Sequence, residues 1–222
     1  MSRPRCLDLF CGAGGAAMGL YRAGFDVVGV DIKPQPRYPF PFIQADALKP
    51  PVRLEDFDLV WASPPCQAFT PLRWMHNARD NPDLVYAVRL MLSSFEVQES
   101  GTLWVIENVR DARLRATARL CGTAFGLGVS GAELRRHRYF ESNYAILMPP
   151  CNHHAPRVIG VYGGHGRDHR RHQSCQDFPT SERRAAMGID WMTGAELSEA
   201  VPPAYSEHIG RYAMMALGLV SA

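Results

Sequence analysis

Cys66 has the setting of a catalytic nucleophile. It stands in the segment Ser-Pro-Pro-Cys-Gln over residues 63–67, directly after a predicted strand over Asp58–Ala62. Two consecutive prolines restrict the backbone of this turn, which would hold a reactive thiol in one position. A thiolate is a strong nucleophile at neutral pH when its surroundings stabilise it. The sequence therefore predicts a chemical role for Cys66, against the alternative of a structural core cysteine.

A carboxyl group ends a second predicted strand, which covers Thr102–Glu107. Ligands of open α/β sheets bind beyond the carboxyl ends of the strands, so Glu107 should share a sheet edge with Cys66. Burial at that edge would raise the pKa of Glu107 and let it act as a proton donor. The alternative is a glutamate that bonds only to the backbone.

A glycine-rich turn over residues 12–15 joins a predicted strand (Cys6–Phe10) to a predicted helix (Ala16–Ala23). Such a turn lets the backbone approach a ligand closely, and the helix N-terminus offers free N–H groups. Asp31 ends the next predicted strand, and in nucleoside-binding sheets an acid at that position reaches the ribose hydroxyls. Asp46 follows the third predicted strand, where it could bind an adenine amino group. The spacing of these glycines differs from that of a dinucleotide-binding motif, which argues against NAD as the ligand. Capping of a turn or helix is the alternative role for each acid.

These residues need a scaffold of alternating strands and helices. Beyond those already named, the predicted elements are strands at 26–32 and 42–45, helices at 81–95 and 113–121, a hairpin at 138–147, an apolar run at 158–162, and helices at 180–187 and from 204 onward. Alternation of this kind is typical of a parallel sheet, so we predict an α/β fold with a small irregular basic insertion.

The motifs, in this order and at these spacings, resemble those of the cytosine-C5 DNA methyltransferase family. The matching segments are Asp8–Gly15, Pro65-Cys66-Gln67, Glu107-Asn108-Val109, Leu134–Phe140 (similar to the family's Gln-x-Arg-x-Arg) and Glu199–Pro203 (similar to part of its last motif). The resemblance covers nearly the whole chain except 141–195. It implies a Rossmann-like, S-adenosylmethionine-dependent methyltransferase sheet in a compact member of phage or bacterial type.

The resemblance also implies a reaction, in which a methyl group passes from S-adenosylmethionine to C5 of a cytosine flipped out of DNA. In this family the thiolate, here Cys66, adds to C6 of the base and makes C5 nucleophilic. Glu107 would bond to N3 and the 4-amino group and Arg138 to O2, with Arg136 beside it near the DNA phosphate. The implied cofactor-binding residues are Phe10, Gly12, Gly14, Asp31, Ile32, Asp46, Ala47, Pro65 and Val201.

The chain departs from the family pattern in two motifs and in size. Leu134 replaces the glutamine of Gln-x-Arg-x-Arg, which removes a polar contact that helps to order the site. Ser198-Glu199 replaces a Gly-Asn pair, and an acid there could favour the sulfonium charge or alter the choice of cofactor. We expect residues 1–140 and 196–222 to form the catalytic domain, with 141–195 as a reduced target-recognition region.

Basic charge is concentrated in one segment, although the net charge of the chain is only +2. Residues 133–184 hold nine arginines and six of the eight histidines against five acids. This segment indicates an anionic partner, and with the resemblance it predicts double-stranded DNA. The predicted nucleic-acid contacts are Gln67, Arg167, Arg170 and Arg171. So small a reading segment predicts a target of roughly two to four base pairs.

Cysteines and histidines also gather in this segment. They are His165, His169, His172 and Cys175, with Cys151, His153 and His154 upstream. Zinc sites generally take a close ligand pair from each of two elements, and no CxxC pair is present. We therefore assign no metal site from the sequence, with structural zinc as the alternative.

The composition excludes several other classes of protein. A hydrophobic fraction of 46% argues against a disordered chain, and no apolar run approaches the ~20 residues of a membrane helix. No secretion signal follows the N-terminus, so we expect reduced thiols and a location in the cytoplasm of a bacterial or phage-infected cell. We also expect the protein to be a monomer. A tRNA cytosine-C5 methyltransferase and a catalytically silent DNA-binding homologue are the alternatives. Restriction–modification, orphan and phage roles would share these motifs.

Overall fold

The computed structural model describes residues 2–66, 83–115, 118–129, 131–162, 175–176 and 178–221. Its strands are β1 (Arg5–Leu9), β2 (Asp26–Asp31), β3 (Phe42–Gln44), β4 (Leu59–Ala62), β5 (Leu103–Asn108), β6 (Ala118–Leu120), β7 (Gly128–Val129), β8 (Ala132–Glu133), β9 (Arg138–Ser142), β10 (Arg157–Ile159) and β11 (Cys175–Gln176). They form a seven-stranded sheet with the order β3-β2-β1-β4-β5-β9-β6 and a four-stranded sheet with the order β11-β10-β8-β7.

The large sheet is parallel from β3 to β5, and β9 then runs antiparallel to both β5 and β6. All four residues of β4 and four of the five in β1 are buried. Strands covered on both faces are mostly apolar, which explains the hydrophobic run of β4, whereas β1 also buries Asp8. The predicted α/β fold with a parallel-rich sheet is confirmed.

The described part of the chain forms six α-helices, some of which cover the two faces of the large sheet. They are α1 (Gly15–Ala23), α2 (Leu84–Leu92), α3 (Phe95–Ser100), α4 (Thr180–Met187), α5 (Gly194–Glu199) and α6 (Pro203–Ala216). On one face Leu20 of α1 and Ile209 of α6 share a core with Trp61. On the other, Val88 of α2 packs in the core that contains Leu7. Among the described helices, none has the length and hydrophobicity to cross a membrane.

A third apolar core joins the small sheet to the C-terminal part of the chain. It includes Ala132 of β8, Leu134 directly after β8, Ile159 of β10, and Met187 of α4. Leu134, which stands where the family has glutamine, is therefore a buried core residue. The small sheet also contains β7 and β8, which precede the predicted recognition region along the chain. The predicted domain bounds stay a prediction.

Two predicted elements are wrong. The helix expected at 113–121 is absent from the described part of that range, where β6 pairs with β9 and its residues alternate between buried and exposed. The predicted hairpin at 138–147 is also absent, because β9 pairs instead with β5 and β6. Asn143 ends β9 by accepting a hydrogen bond from the Trp104 N–H (2.8 Å) and donating one to the Thr102 carbonyl (3.0 Å). Periodicity alone did not reveal these long-range pairings.

The helix predicted at 81–95 ends at Leu92 as α2. A second helix, α3, begins at Phe95 after Ser93 and Ser94. Asp83 caps α2 by accepting a hydrogen bond from the Tyr86 N–H (3.2 Å), whereas Asn81 and Pro82 lie outside the described residues.

A buried ion pair holds α2 against β9. Both Glu141 carboxylate oxygens accept hydrogen bonds from Arg89, each at 2.7 Å, and the Arg115 N–H donates to Glu141 as well. We expect Glu141→Gln to destabilise the fold by about 3 kcal/mol, because it leaves a buried guanidinium without its counter-charge. Denaturant unfolding monitored by circular dichroism measures this loss, and a change below about 1 kcal/mol would contradict the role assigned to the pair.

Candidate active site

The predicted chemical residues converge at one edge of the large sheet. Residues Ala62 of β4 and Ile106 of β5 are paired in register, so the turn to Cys66 and the residue Glu107 leave the sheet at the same end. Because β9 runs antiparallel to β5, its first residue, Arg138, begins at that end as well. Strand direction therefore brings together three residues from distant parts of the chain.

Glu107 is buried beside Arg138. Its Oε1 lies 2.9 Å from Arg138 Nε, although this oxygen has no hydrogen bond of good geometry in the described residues. The Ser63 hydroxyl hydrogen-bonds to the carboxyl group and accepts a hydrogen bond from Trp61 Nε1 at 2.8 Å. Burial raises the pKa of Glu107, and the charge of Arg138 offsets this only in part. The carboxyl group can thus hold a proton nearer neutral pH than an exposed glutamate, as predicted.

The Cys66 turn is anchored to the same strand. Asn108 Nδ2 donates to the Pro64 carbonyl at 2.8 Å, a buried hydrogen bond that fixes the residue two before Cys66. The stiffness predicted from the two prolines thus has a second source, which the sequence did not indicate. Asn108 follows Glu107 directly, so one strand end positions both the carboxyl group and the turn that carries the thiol.

Cys66 is a partly buried thiol in this structure. Burial raises its pKa, Glu107 adds to the rise, and the Arg138 charge offsets part of it. The free protein therefore holds Cys66 mainly as the neutral thiol at pH 7, rather than as the stabilised thiolate considered from the sequence. Deprotonation must accompany the attack on substrate.

We expect the rate of Cys66 alkylation by iodoacetamide in the free protein to rise with pH, with a midpoint above the ordinary thiol value of 9.0. The thiolate is the reactive form, so a raised pKa moves the whole profile to higher pH. Arg138→Ala should move the midpoint higher still. Mass spectrometry of the Cys66 peptide follows the rate, with buried Cys11 as the slower internal control. A midpoint below 9.0 would contradict the electrostatics described here.

Arg136 is buried and bonds to backbone. Its Nη1 donates to the Val161 carbonyl (2.6 Å), and its Nη2 donates to the carbonyls of Ser198 (2.7 Å) and Ala200 (3.1 Å). The Tyr205 hydroxyl donates to the Arg136 carbonyl in turn. These contacts tie the start of β9 to the small sheet and the C-terminal motif, so the phosphate contact predicted for Arg136 stays a prediction.

A residue with a left-handed backbone conformation precedes the glycine-rich turn. Phe10 has a φ of +58°, which is uncommon for a bulky side chain, and Gly12 and Gly14 follow at +49° and +84°. A Cβ on Gly14 would lie 2.8 Å from Pro39 Cδ, whereas one on Gly12 would meet nothing within 4 Å. The turn thus presents open space beside Gly12, where a ligand could approach the backbone.

The C-terminal motif packs against this turn. A Cβ on Gly15 would lie only 2.4 Å from the Val201 carbonyl oxygen, so glycine is required for the approach. Trp191 Nε1 donates to the Ala13 carbonyl at 2.8 Å. The first and last motifs therefore form one wall with buried Val201 in it, and the predicted contact of Val201 with the cofactor stays a prediction.

A model of the C-5 cytosine-specific DNA methylase family matches residues 4–119, slightly more than half of the chain. The chain belongs to this family. It is therefore an S-adenosylmethionine-dependent DNA cytosine methyltransferase, and the predicted family, activity and cofactor are confirmed. Comparison with curated protein sequences gives no significant match.

Solved structures of similar fold include three methyltransferases. They are a DNA modification methyltransferase encoded within a prophage (E. coli; TM-score 0.63, 15% identity, 97% of this chain and 99% of that chain), the S. pombe Dnmt2 methyltransferase (0.59, 13%, 97% and 99%) and EhMeth from Entamoeba histolytica (0.58, 11%, 98% and 99%). At these identities the likeness concerns the fold.

The residues beside the turn fit the family's cofactor. Asp31 Oδ2 accepts from the Gly12 N–H (3.1 Å) and Oδ1 from the Lys33 N–H (2.9 Å), and Asp46 Oδ1 accepts from the Leu48 N–H (2.9 Å). Each acid thus caps a turn, the alternative raised above, yet a carboxylate can accept further bonds from ribose or adenine. Exposed Ile32 offers an apolar surface next to Asp31.

The remaining predicted residues have varied surroundings. Ala47 is buried after Asp46, and Pro65 is exposed beside Cys66. Glu199, which departs from the family pattern, is exposed at the end of α5. The predicted nucleic-acid contacts Gln67, Arg167, Arg170 and Arg171 lie outside the described residues. Ser63, Trp61 and Trp191 were missed because a single polar atom on an aromatic or small side chain leaves no pattern in the sequence.

Proposed function

We propose that this methyltransferase forms a covalent adduct between Cys66 Sγ and C6 of a cytosine flipped out of duplex DNA. The observation that carries the proposal is the meeting of Cys66, Glu107 and Arg138 at one sheet edge, beside the wall formed by the glycine-rich turn and Val201. A nucleophile, a proton donor and a cation in one place suit a base whose ring must accept an electron pair.

The reaction begins at the thiol. Cys66 loses its proton to solvent and its sulfur adds to C6, which moves electron density toward N3 and makes C5 nucleophilic. Buried Glu107, protonated because of its raised pKa, donates to N3 and so stabilises this charge, while its other oxygen accepts from the 4-amino group. Arg138 donates to O2 of the base. Once C5 carries the methyl group, it loses its proton to solvent and the Cys66 sulfur departs with the electron pair of its bond to C6, which restores the aromatic ring.

Bound S-adenosylmethionine supplies the electrophilic methyl group to C5. Asp31 and Asp46 would accept hydrogen bonds from its ribose and adenine, and Phe10, Gly12, Gly14, Ile32, Ala47, Pro65 and Val201 would line the rest of its site.

The small sheet and the segment 141–195 are the proposed target-recognition region. Several arginines of the basic segment already bond within the protein, such as Arg135 to Glu133 and Arg184 Nε to the Met192 carbonyl at 2.6 Å. Fewer cations thus remain for DNA than the composition alone indicated. This supports a short target of roughly two to four base pairs.

Transfer of a tritiated methyl group to duplex DNA, compared with tRNA, tests the substrate. We expect duplex DNA to be methylated, and bisulfite sequencing should show cytosines in one short context. The fold shared with the S. pombe Dnmt2 methyltransferase is consistent with the tRNA alternative. Transfer to tRNA alone would establish that alternative, and a target of six or more base pairs would refute the short one.

A further inference from the structure

Two cysteines and two histidines meet beside the start of β9. Cys121 follows β6, His137 precedes β9, and Cys151 and His153 lie in the loop before β10. The potential ligand atoms of these four residues all lie within 4.8 Å of one another. We propose that this Cys2His2 cluster binds a structural Zn²⁺ ion.

The distances within the cluster suit tetrahedral zinc. Cys121 Sγ lies 3.4 Å from His153 Nε2, and Cys151 Sγ lies 3.6 Å from His137 Nε2. Zinc bonds of about 2.3 Å to sulfur and 2.0–2.1 Å to nitrogen, opened to the tetrahedral angle, separate S and N by about 3.5–3.6 Å. Both pairs already have the separation that a shared ion requires.

Neighbouring groups favour thiolate ligands. The Thr123 hydroxyl donates to Cys121 Sγ at 3.2 Å, and Arg119 Nη2 lies 3.7 Å from Cys151 Sγ. Hydrogen bonds and positive charge near a ligating sulfur stabilise its deprotonated form and orient it. Cys121 is also buried, so an ion here would be partly shielded from solvent while His153 covers it from the exposed side.

The donor set identifies the ion and its role. Two sulfur and two nitrogen ligands in tetrahedral arrangement are typical of zinc. Four protein ligands leave no open position for water or substrate, which is the arrangement of structural sites. The sequence pattern did not reveal this set, because Cys121 and His137 are far from each other and from Cys151 along the chain.

The ion would hold the start of β9, the strand that begins with Arg138. His137 lies between Arg136 and Arg138, and Arg138 Nη1 donates to the His137 carbonyl at 3.1 Å. A metal bound to His137 would join the start of β9, the end of β6 and the loop that leads to the small sheet. It would therefore act as a positioning element for Arg138 without touching substrate.

Zinc content of the full-length protein, purified without chelator, tests this inference. We expect about one zinc per chain by mass spectrometry of the metal. His153→Ala should lower zinc affinity by more than the roughly 10–100-fold effect of outer-sphere changes, as measured by competition with a chromophoric chelator. His154→Ala, which alters the neighbouring histidine outside the cluster, should keep wild-type zinc, and His153→Cys should restore binding because cysteine replaces the lost ligand.

Cobalt substitution provides a readout independent of activity and stability. Co²⁺ in the wild-type protein should give the thiolate charge-transfer and ligand-field absorption of a tetrahedral S2N2 site, and the spectrum should weaken in His153→Ala. Wild-type protein that takes up no zinc from zinc-containing buffer would overturn the proposal. So would a Cys121–Cys151 disulfide in the protein as isolated, or equal zinc loss in His153→Ala and His154→Ala.

Discussion

Replacing Cys66 with alanine should reduce methyl transfer to DNA by on the order of 10⁴–10⁶-fold, the scale seen when a covalent nucleophile is removed. Cys11 and Cys121 also follow strands that end at this edge, but both are buried, so we expect neither to take over the attack on C6. The measurement is tritiated methyl transfer to duplex DNA under single-turnover conditions. Duplexes with 5-fluorocytosine at the target should trap the wild-type enzyme covalently, because fluorine at C5 leaves no proton to lose.

The alanine variant should form no such adduct while it keeps its fold. Cys66 is only partly buried in a turn held by the Asn108–Pro64 hydrogen bond, so its loss should leave thermal unfolding and S-adenosylmethionine binding close to wild type. A residual adduct in Cys66→Ala would assign the nucleophile to another residue. A wild-type protein that binds the trapping duplex and cofactor without an adduct would support the catalytically silent alternative.

Replacing Glu107 with glutamine should reduce methyl transfer by roughly 10²–10⁴-fold, the usual contribution of a positioned proton donor. Glutamine occupies the same volume but cannot supply a proton to N3. The wild-type rate should rise with pH as Cys66 deprotonates and then level off above the raised pKa of Glu107, because the gain in thiolate is there offset by the loss of protonated carboxyl group. The residual rate of Glu107→Gln should lack this levelling and continue to follow the deprotonation of Cys66 alone.

Glu141→Gln is the matched control for this variant. Glu141 is equally buried on the adjacent strand but pairs with Arg89 away from Cys66. It should lose stability, as described above, yet retain its rate per folded molecule at a temperature below unfolding. Glu107→Gln with more than a tenth of the wild-type rate, or with the same pH profile as wild type, would show that Glu107 only positions other groups.

The sequence predicted the parallel part of the fold and the motifs within it. Short, mostly apolar runs at β1, β2, β4 and β5 are clear because strands buried on both faces are rich in apolar residues. Proline and glycine turns after them mark where the backbone leaves the sheet, and Cys66, Glu107 and Asp31 stand at those ends. These are local signals, so a single sequence carries them.

The antiparallel part could not be predicted in the same way. The segment that became β6 has helical periodicity, and only pairing with β9 selects the strand. Arg136, whose predicted contact with the DNA phosphate stays a prediction, bonds to carbonyls of two distant segments, which only folding brings within reach. Leu134 is an apolar core residue in place of a polar one, because a separate core forms around it.

The sequence by itself determined which groups this methyltransferase can use: a thiol after two prolines, a carboxyl group at a strand end and a glycine-rich turn for its cofactor. The tertiary structure decided which of them meet. The reversal of β9 places Arg138 against Glu107, and it also brings His137 to Cys151. Contacts between residues far apart in the chain depend on strand order and direction, which no local spacing encodes.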